Sequence, residues 1–197
     1  MVIGVTEFFR DPPVFAQLRA LLPALAAGKR GVRVWSAGCS DGAELYSVAM
    51  LLARLALLET SRLWGSDCRP DAVARARAGR FLPDQVKHLP PAWREEFLEP
   101  EGNRLRICEP LRRAAVWRVA DLLDEASLAP GPWDVILCRN VAIYLETAAS
   151  AVLWSRLADR LAEGGILVTG NAERAEAGNR LERMAPCIFR KVSGRTT

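Results

Sequence analysis

Apolar residues along this chain alternate between two periods, and each change of period marks an element. Val14, Phe15, Leu18, Leu21, Leu22 and Leu25 fall at helical spacing, so a helix is expected from Pro12, with Asp11 as its cap. Val32 to Ala37 is β-branched and aromatic, as in a buried strand; a turn of small residues follows from Gly38 to Gly42, then a long apolar helix through Leu58. Arg62 to Asp67 gives a second strand and Asp71 to Arg77 a short helix. Phe81 to Pro100 is proline-rich and amphipathic around Trp93 and Phe97, and Arg104 to Glu109 alternates as a half-exposed strand. Val116 to Val119 reads as a strand of the main sheet ending at Asp121-Leu122-Leu123, and the nearly wholly apolar Trp133 to Asn140 as a central one. Thr147 to Leu161 is a helix stopped by Gly164-Gly165, Ile166 to Gly170 a further strand, and Cys187 to Lys191 a final edge strand. Strands alternating with helices predict a doubly wound, mostly parallel α/β sheet. The expected organisation is one domain over 1–197, with a small inserted subdomain at about 81–113, a hairpin with helical flanks at the ligand edge.

Composition narrows the chemistry. With 197 residues, half of them hydrophobic, the chain can bury one good core. Five cysteines without a Cys-x-x-Cys pair, beside one histidine, argue for reduced, buried thiols in a cytoplasmic protein and against a metal site. Glu7 and Arg10 interrupt any signal peptide, and no apolar run is long enough to span a bilayer. A net charge of +4 is a mild bias towards acidic partners, but no aromatic-interleaved basic motif of the nucleic-acid-binding kind is present.

The glycine turn is where ligand chemistry is expected, because α/β folds bind ligands beyond the carboxyl ends of their strands. Gly38-x-Ser40-x-Gly42 matches a hydrolase nucleophile elbow, yet the sole histidine, His88, precedes the later strands in a Pro-flanked stretch that reads as a surface loop. A dinucleotide fingerprint is not met, since Ser40 takes the place of the middle glycine. A nucleoside-type cofactor is the third option: Asp67 closes the next strand, where a carboxylate can accept both ribose hydroxyls. Arg139, Asn140 and Tyr144 follow the central strand and face the same crevice.

Four segments, in order, resemble the chemotaxis receptor methyltransferases (CheR-type protein-glutamate O-methyltransferases), S-adenosylmethionine enzymes of the Rossmann-like class I fold. They are Thr6-Glu7-Phe8-Phe9-Arg10; Trp35 to Gly42 with Tyr46-Ser47; Asp67 before its helix; and Trp133 to Tyr144, with its phrase Cys138-Arg139-Asn140-Val141-x-Ile143-Tyr144. The resemblance implies that Thr6 and Arg10 border the methionine end of S-adenosylmethionine, with Arg10 also near the transferred methyl. It implies Gly38 in the cofactor turn, Glu44 on the amino group, Asp67 on the ribose, Asp121 and Leu122 at the adenine, and Arg139 and Asn140 against the methionine part. Tyr144 and Arg10 are the implied catalytic residues, and the implied partner is a methyl-accepting chemoreceptor or another glutamate-rich signalling protein. The chemistry is consistent: a glutamate carboxylate is already an anion at neutral pH and needs no general base.

The sequence departs from the family pattern in three places. The family normally carries an N-terminal helical domain that contacts the receptor, whereas this sequence begins almost at Thr6. The turn continues Gly42-Ala43-Glu44-Leu45-Tyr46-Ser47 in place of Gly-Glu-Glu-Pro-Tyr-Ser, and Gly170-Asn171-Ala172-Glu173 replaces Gly-His-Ser-Glu. Two other readings stand beside receptor methylation: a degenerate domain that binds the cofactor or its product and signals, and a small-molecule methyltransferase.

Overall fold

The computed structural model describes residues 7–192. Helix α1 (Pro12–Ala26) buries Val14, Phe15, Leu18 and Leu22, the stripe its spacing predicts. Strand β1 (Arg33–Ala37), helix α2 (Ala43–Arg54), strand β2 (Arg62–Asp67) and helix α3 (Pro70–Ala78) follow as two strand-helix units. Next come β3 (Arg80–Phe81), α4 (Pro91–Phe97), β4 (Leu98–Glu101), β5 (Arg104–Ile107), α5 (Glu109–Ala114) and β6 (Ala115–Val119). The chain ends with β7 (Trp133–Cys138), α6 (Thr147–Arg160), β8 (Leu161–Thr169), β9 (Leu181–Ala185) and β10 (Ile188–Lys191).

Seven strands form the main sheet in the order β6-β2-β1-β7-β8-β10-β9. The first five are parallel and β10 is antiparallel to both neighbours. After β1 the chain steps outward to β2 and β6, then returns to β7 on the other side of β1. This reversal is the switch point at which an open α/β sheet leaves a crevice at the carboxyl ends of its strands. The α/β expectation holds. Strands β3, β5 and β4 make a separate antiparallel sheet, with β4 and β5 as a hairpin. Phe81 and Phe97 from this region are buried, with Phe81 edge-on to Phe8 and to Tyr46.

Two sequence expectations are corrected. The glycine pair does not separate α6 from its strand, because β8 already begins at Leu161. Trp133 pairs with Leu161 and Val135 with Ile166, so the extra residues, including left-handed Gly164, bulge within the strand. Nor is β10 the edge strand: it lies between β8 and β9, and the edge belongs to Leu181–Ala185. That segment, Leu-Glu-Arg-Met-Ala, is too polar to announce itself, since an edge strand needs only one apolar face.

Asp134 lies within the otherwise apolar β7 and is fully buried. Its carboxylate accepts hydrogen bonds from Lys29 Nζ at 2.6 Å and from the Arg33 main chain and guanidinium at 2.9 Å. Burial by itself would raise its pKa, but Arg33 and Lys29 outweigh burial and hold it below the ordinary aspartate value. A depressed folded pKa contributes stability above the unfolded value that is lost as pH falls through the folded one. Asp134→Asn is therefore expected to cost roughly 1–3 kcal/mol at neutral pH, with the gap to wild type closing below about pH 4. Urea melts at pH 7 and pH 3 test this; equal midpoints at pH 7 would contradict it.

Candidate functional site

The carboxyl ends of β1, β2, β6 and β7 open onto a cavity of about 570 Å³. Gly38 forms part of its wall at φ +82°, and the Gly38 and Cys39 N–H groups both donate to the Ser66 carbonyl at 2.8 Å. A Cβ at position 38 would lie 2.5 Å from the Val141 side chain, so conformation and space together require glycine. Asp67 ends β2 and is buried. Its Oδ2 accepts the Ser40 N–H at 2.9 Å, and its Oδ1 accepts the Arg69 N–H and Nε–H, each at 3.0 Å. Asp121 and Leu122 form the wall beyond β6; the Asp121 carboxylate accepts the Leu123 N–H at 2.8 Å in a tight turn.

Arg139 leaves the end of β7 with its side chain only 2% exposed. Its guanidinium pairs with Asp11, lies 3.5 Å from Glu44 and sits 5.5 Å from the Phe15 ring centre. Its Nε is buried without a protein partner. Asn140 is left-handed at φ 58°, a conformation asparagine tolerates better than most residues. Its N–H donates to Glu173, as do those of Val141, Ala142 and Gly170, all at 2.7–2.8 Å. One buried carboxylate thus ties the turn after β7 to the turn after β8. Arg10 and Tyr144 both line the cavity from its exposed side, Tyr144 being 59% exposed. The approach of Arg10 is set by Ser47, whose hydroxyl accepts the Phe9 N–H at 3.0 Å while donating to the Ala43 carbonyl at 2.8 Å.

Eight of the sequence-derived residues therefore surround one space: Arg10, Gly38, Asp67, Asp121, Leu122, Arg139, Asn140 and Tyr144. Thr6 lies outside the described residues. Glu44 lies beside Arg139, its Oε2 3.5 Å from Nη1, and its Oε1 accepts the Ser36 hydroxyl at 2.8 Å. Burial raises its pKa, partly offset by Arg139 and Ser36. Asp11 precedes α1 as expected but does not cap it through its side chain. Its carboxylate instead serves Arg139 and Asn171. Cys68 departs from the buried-thiol expectation, being exposed on the cavity wall. The partners Asp11, Arg69 and Glu173 were not singled out from the sequence as site residues. The available signal was an unexplained charge beside a motif: Arg69 two residues after Asp67, and Glu173 three after the glycine that follows a buried strand.

The donor set suits S-adenosylmethionine. A buried acid closes β2 for a ribose, Leu122, Val141 and Ile143 offer apolar surface for a base, and Arg139 brings a cation to the cavity wall for an amino-acid carboxylate.

The fold is that of the class I S-adenosylmethionine-dependent methyltransferases. The family described as CheR methyltransferase, SAM binding domain, matches residues 4–188, and this chain belongs to that family. A probable chemotaxis protein methyltransferase of Rhizobium etli is 33% identical over 185 residues, covering 88% of this chain and 69% of that protein. The chemotaxis protein methyltransferase of Vibrio parahaemolyticus is 32% identical over 183 residues, covering 88% of this chain and 66% of its own. A 104.1 kDa uncharacterized protein of Rhodobacter capsulatus is 32% identical over 181 residues, of which the match spans only 19%. The chain thus spans about two thirds of the two methyltransferases and about a fifth of the longer protein. Among solved structures, PKMT2 of Rickettsia typhi with AdoHcy has a TM-score of 0.51 at 14% identity, covering 85% of this chain and 26% of that one. An O-methyltransferase family protein of Burkholderia thailandensis also has a TM-score of 0.51, at 16% identity, covering 81% and 36%. At these identities the structures share the fold alone. No helix among the described residues is long and apolar enough to cross a membrane.

Proposed function

We propose that this domain transfers the methyl group of S-adenosylmethionine to glutamate side-chain carboxylates of a chemoreceptor or a related glutamate-rich signalling protein. The observation that carries this reading is that a cation, Arg10, and a phenol, Tyr144, both exposed, line the same cavity as the residues that suit the cofactor. When bound, S-adenosylmethionine supplies an electrophilic sulfonium methyl. A carboxylate oxygen forms the new O–CH3 bond as the S–CH3 bond breaks, giving a methyl ester and S-adenosylhomocysteine with no proton transferred. The protein therefore has to orient and desolvate an anion and need not deprotonate it. In this reading the Arg10 guanidinium attracts the carboxylate and the Tyr144 hydroxyl donates to one of its oxygens, leaving the other free to attack. Gly38, Asp67, Asp121, Leu122, Arg139 and Asn140 hold the cofactor. Glu44 meets the amino group of the cofactor, and Asp11 braces Arg139.

The test is a time course of labelled methyl transfer into a receptor fragment and a glutamate-rich peptide, beside a metabolite extract. Label in protein that mild alkali releases as methanol marks a carboxyl methyl ester and supports the proposal. Label in the metabolite fraction alone would move the activity to a small molecule. Cofactor binding without any transfer would make this a sensing domain.

A further inference from the structure

We propose that Arg69 sets the affinity of the cofactor site by competing with the ribose for Asp67. This rests on Asp67 being the ribose acceptor. A carboxylate presents about four acceptor positions. At Asp67 two are filled by main-chain groups, the Ser40 N–H on Oδ2 at 2.9 Å and the Arg69 N–H on Oδ1 at 3.0 Å. The remaining two are covered by the Arg69 side chain, with Nε 3.0 Å from Oδ1 and Nη2 3.4 Å from Oδ2. The same Nη2 donates to the Ser40 hydroxyl at 3.0 Å, so the guanidinium spans the acid and the glycine turn. Both Asp67 and Arg69 line the cavity.

A vicinal diol needs two of these positions. The main-chain donors cannot withdraw without moving the turn and the start of α3. The guanidinium can, because its flexible stem leaves the Arg69 side chain 34% exposed. Ribose entry and the Arg69–Asp67 pair are therefore alternatives. Every ligand with this ribose must displace the same guanidinium. Arg69 thus weakens substrate and product by the same factor, which is the pattern of uniform binding. Its effect in turnover is to lower retention of the product.

Titration of the full chain with S-adenosylhomocysteine, for wild type, Arg69→Ala and Arg69→Lys, decides the matter. The Ala variant is expected to bind about 3- to 10-fold tighter, since it removes a charge-assisted pair from the free state only. The Lys variant should fall between, having charge but no fork. The Kd of the Ala variant for S-adenosylmethionine should fall by the same factor as its Kd for the product, because both carry the same ribose. The advantage of Arg69→Ala over wild type should not grow with salt, because salt can only weaken the free-state pair. Equal or weaker binding by Arg69→Ala, or an advantage that grows with salt, would overturn the competition while leaving the cofactor site standing. Absence of binding in all three folded proteins would instead overturn the cofactor reading, and this inference with it.

Discussion

Asp67→Ala is expected to weaken S-adenosylhomocysteine binding by about 100-fold or more, as measured by calorimetric titration. Each hydrogen bond from a ligand hydroxyl to a buried carboxylate contributes about 1.5–3 kcal/mol, and a ribose diol makes two. The substitution also strips the acceptor from the Ser40 N–H, so the turn that faces the cofactor loses a tie at the same time. Asp67→Asn separates the two effects. It keeps an acceptor oxygen for Ser40 and removes the charge, at the cost of an NH2 facing the Arg69 N–H, so it should bind more weakly than wild type while losing about 1–3 kcal/mol of stability. Binding by folded Asp67→Ala within a few-fold of wild type would show that the ribose is held elsewhere.

The second large effect is expected at Glu173. Its two oxygens take four main-chain N–H groups, from Asn140, Val141, Ala142 and Gly170, in a place where the side chain is buried. Glutamine has nearly the same shape but turns one acceptor into a donor, so two of those N–H groups would face an NH2. Leaving buried donors unpaired costs about 1–3 kcal/mol each. Glu173→Gln should therefore lose about 2–4 kcal/mol of stability, a fall in Tm of roughly 5–12 °C for a domain of this size. Turnover should suffer beyond the loss of folded protein, because the turn that Glu173 grips carries Asn140 and leads into Tyr144. Thermal melts and kcat at a temperature where the variant is fully folded check both parts. A melt within 2 °C of wild type would refute the role given to this carboxylate.

Legibility differed between elements for physical reasons. The buried parallel strands β1, β2 and β7 were plain because their apolar side chains must lie together, and their parallel direction followed from strand-helix alternation. Edge strand β9 was not plain, since polar residues suffice where one face meets water. The bulge at Gly164 was hidden too: a glycine pair reads as a helix stop unless the partner strand is known. Within the site, residues that belong to a local pattern, such as Gly38 in its turn or Asp67 at its strand end, could be named in advance. Residues whose role lies in meeting a distant segment could not. Asp11 looks like a helix cap in isolation, and only the arrival of Arg139, 128 positions later, redirects its carboxylate.

The same division holds for the protein as a whole. Sequence by itself determined the family, the parallel α/β architecture and the residues available to meet a nucleoside-type cofactor, because hydrophobic period, turn chemistry and motif spacing are local properties. Tertiary structure alone decided which charges meet one another within the protein: Glu44 with Arg139, Asp134 between Lys29 and Arg33, Glu173 across two turns, and Arg69 on Asp67. A charge is assigned its task by whatever lies a few ångströms from it, and at these sites most of those neighbours come from elsewhere in the chain.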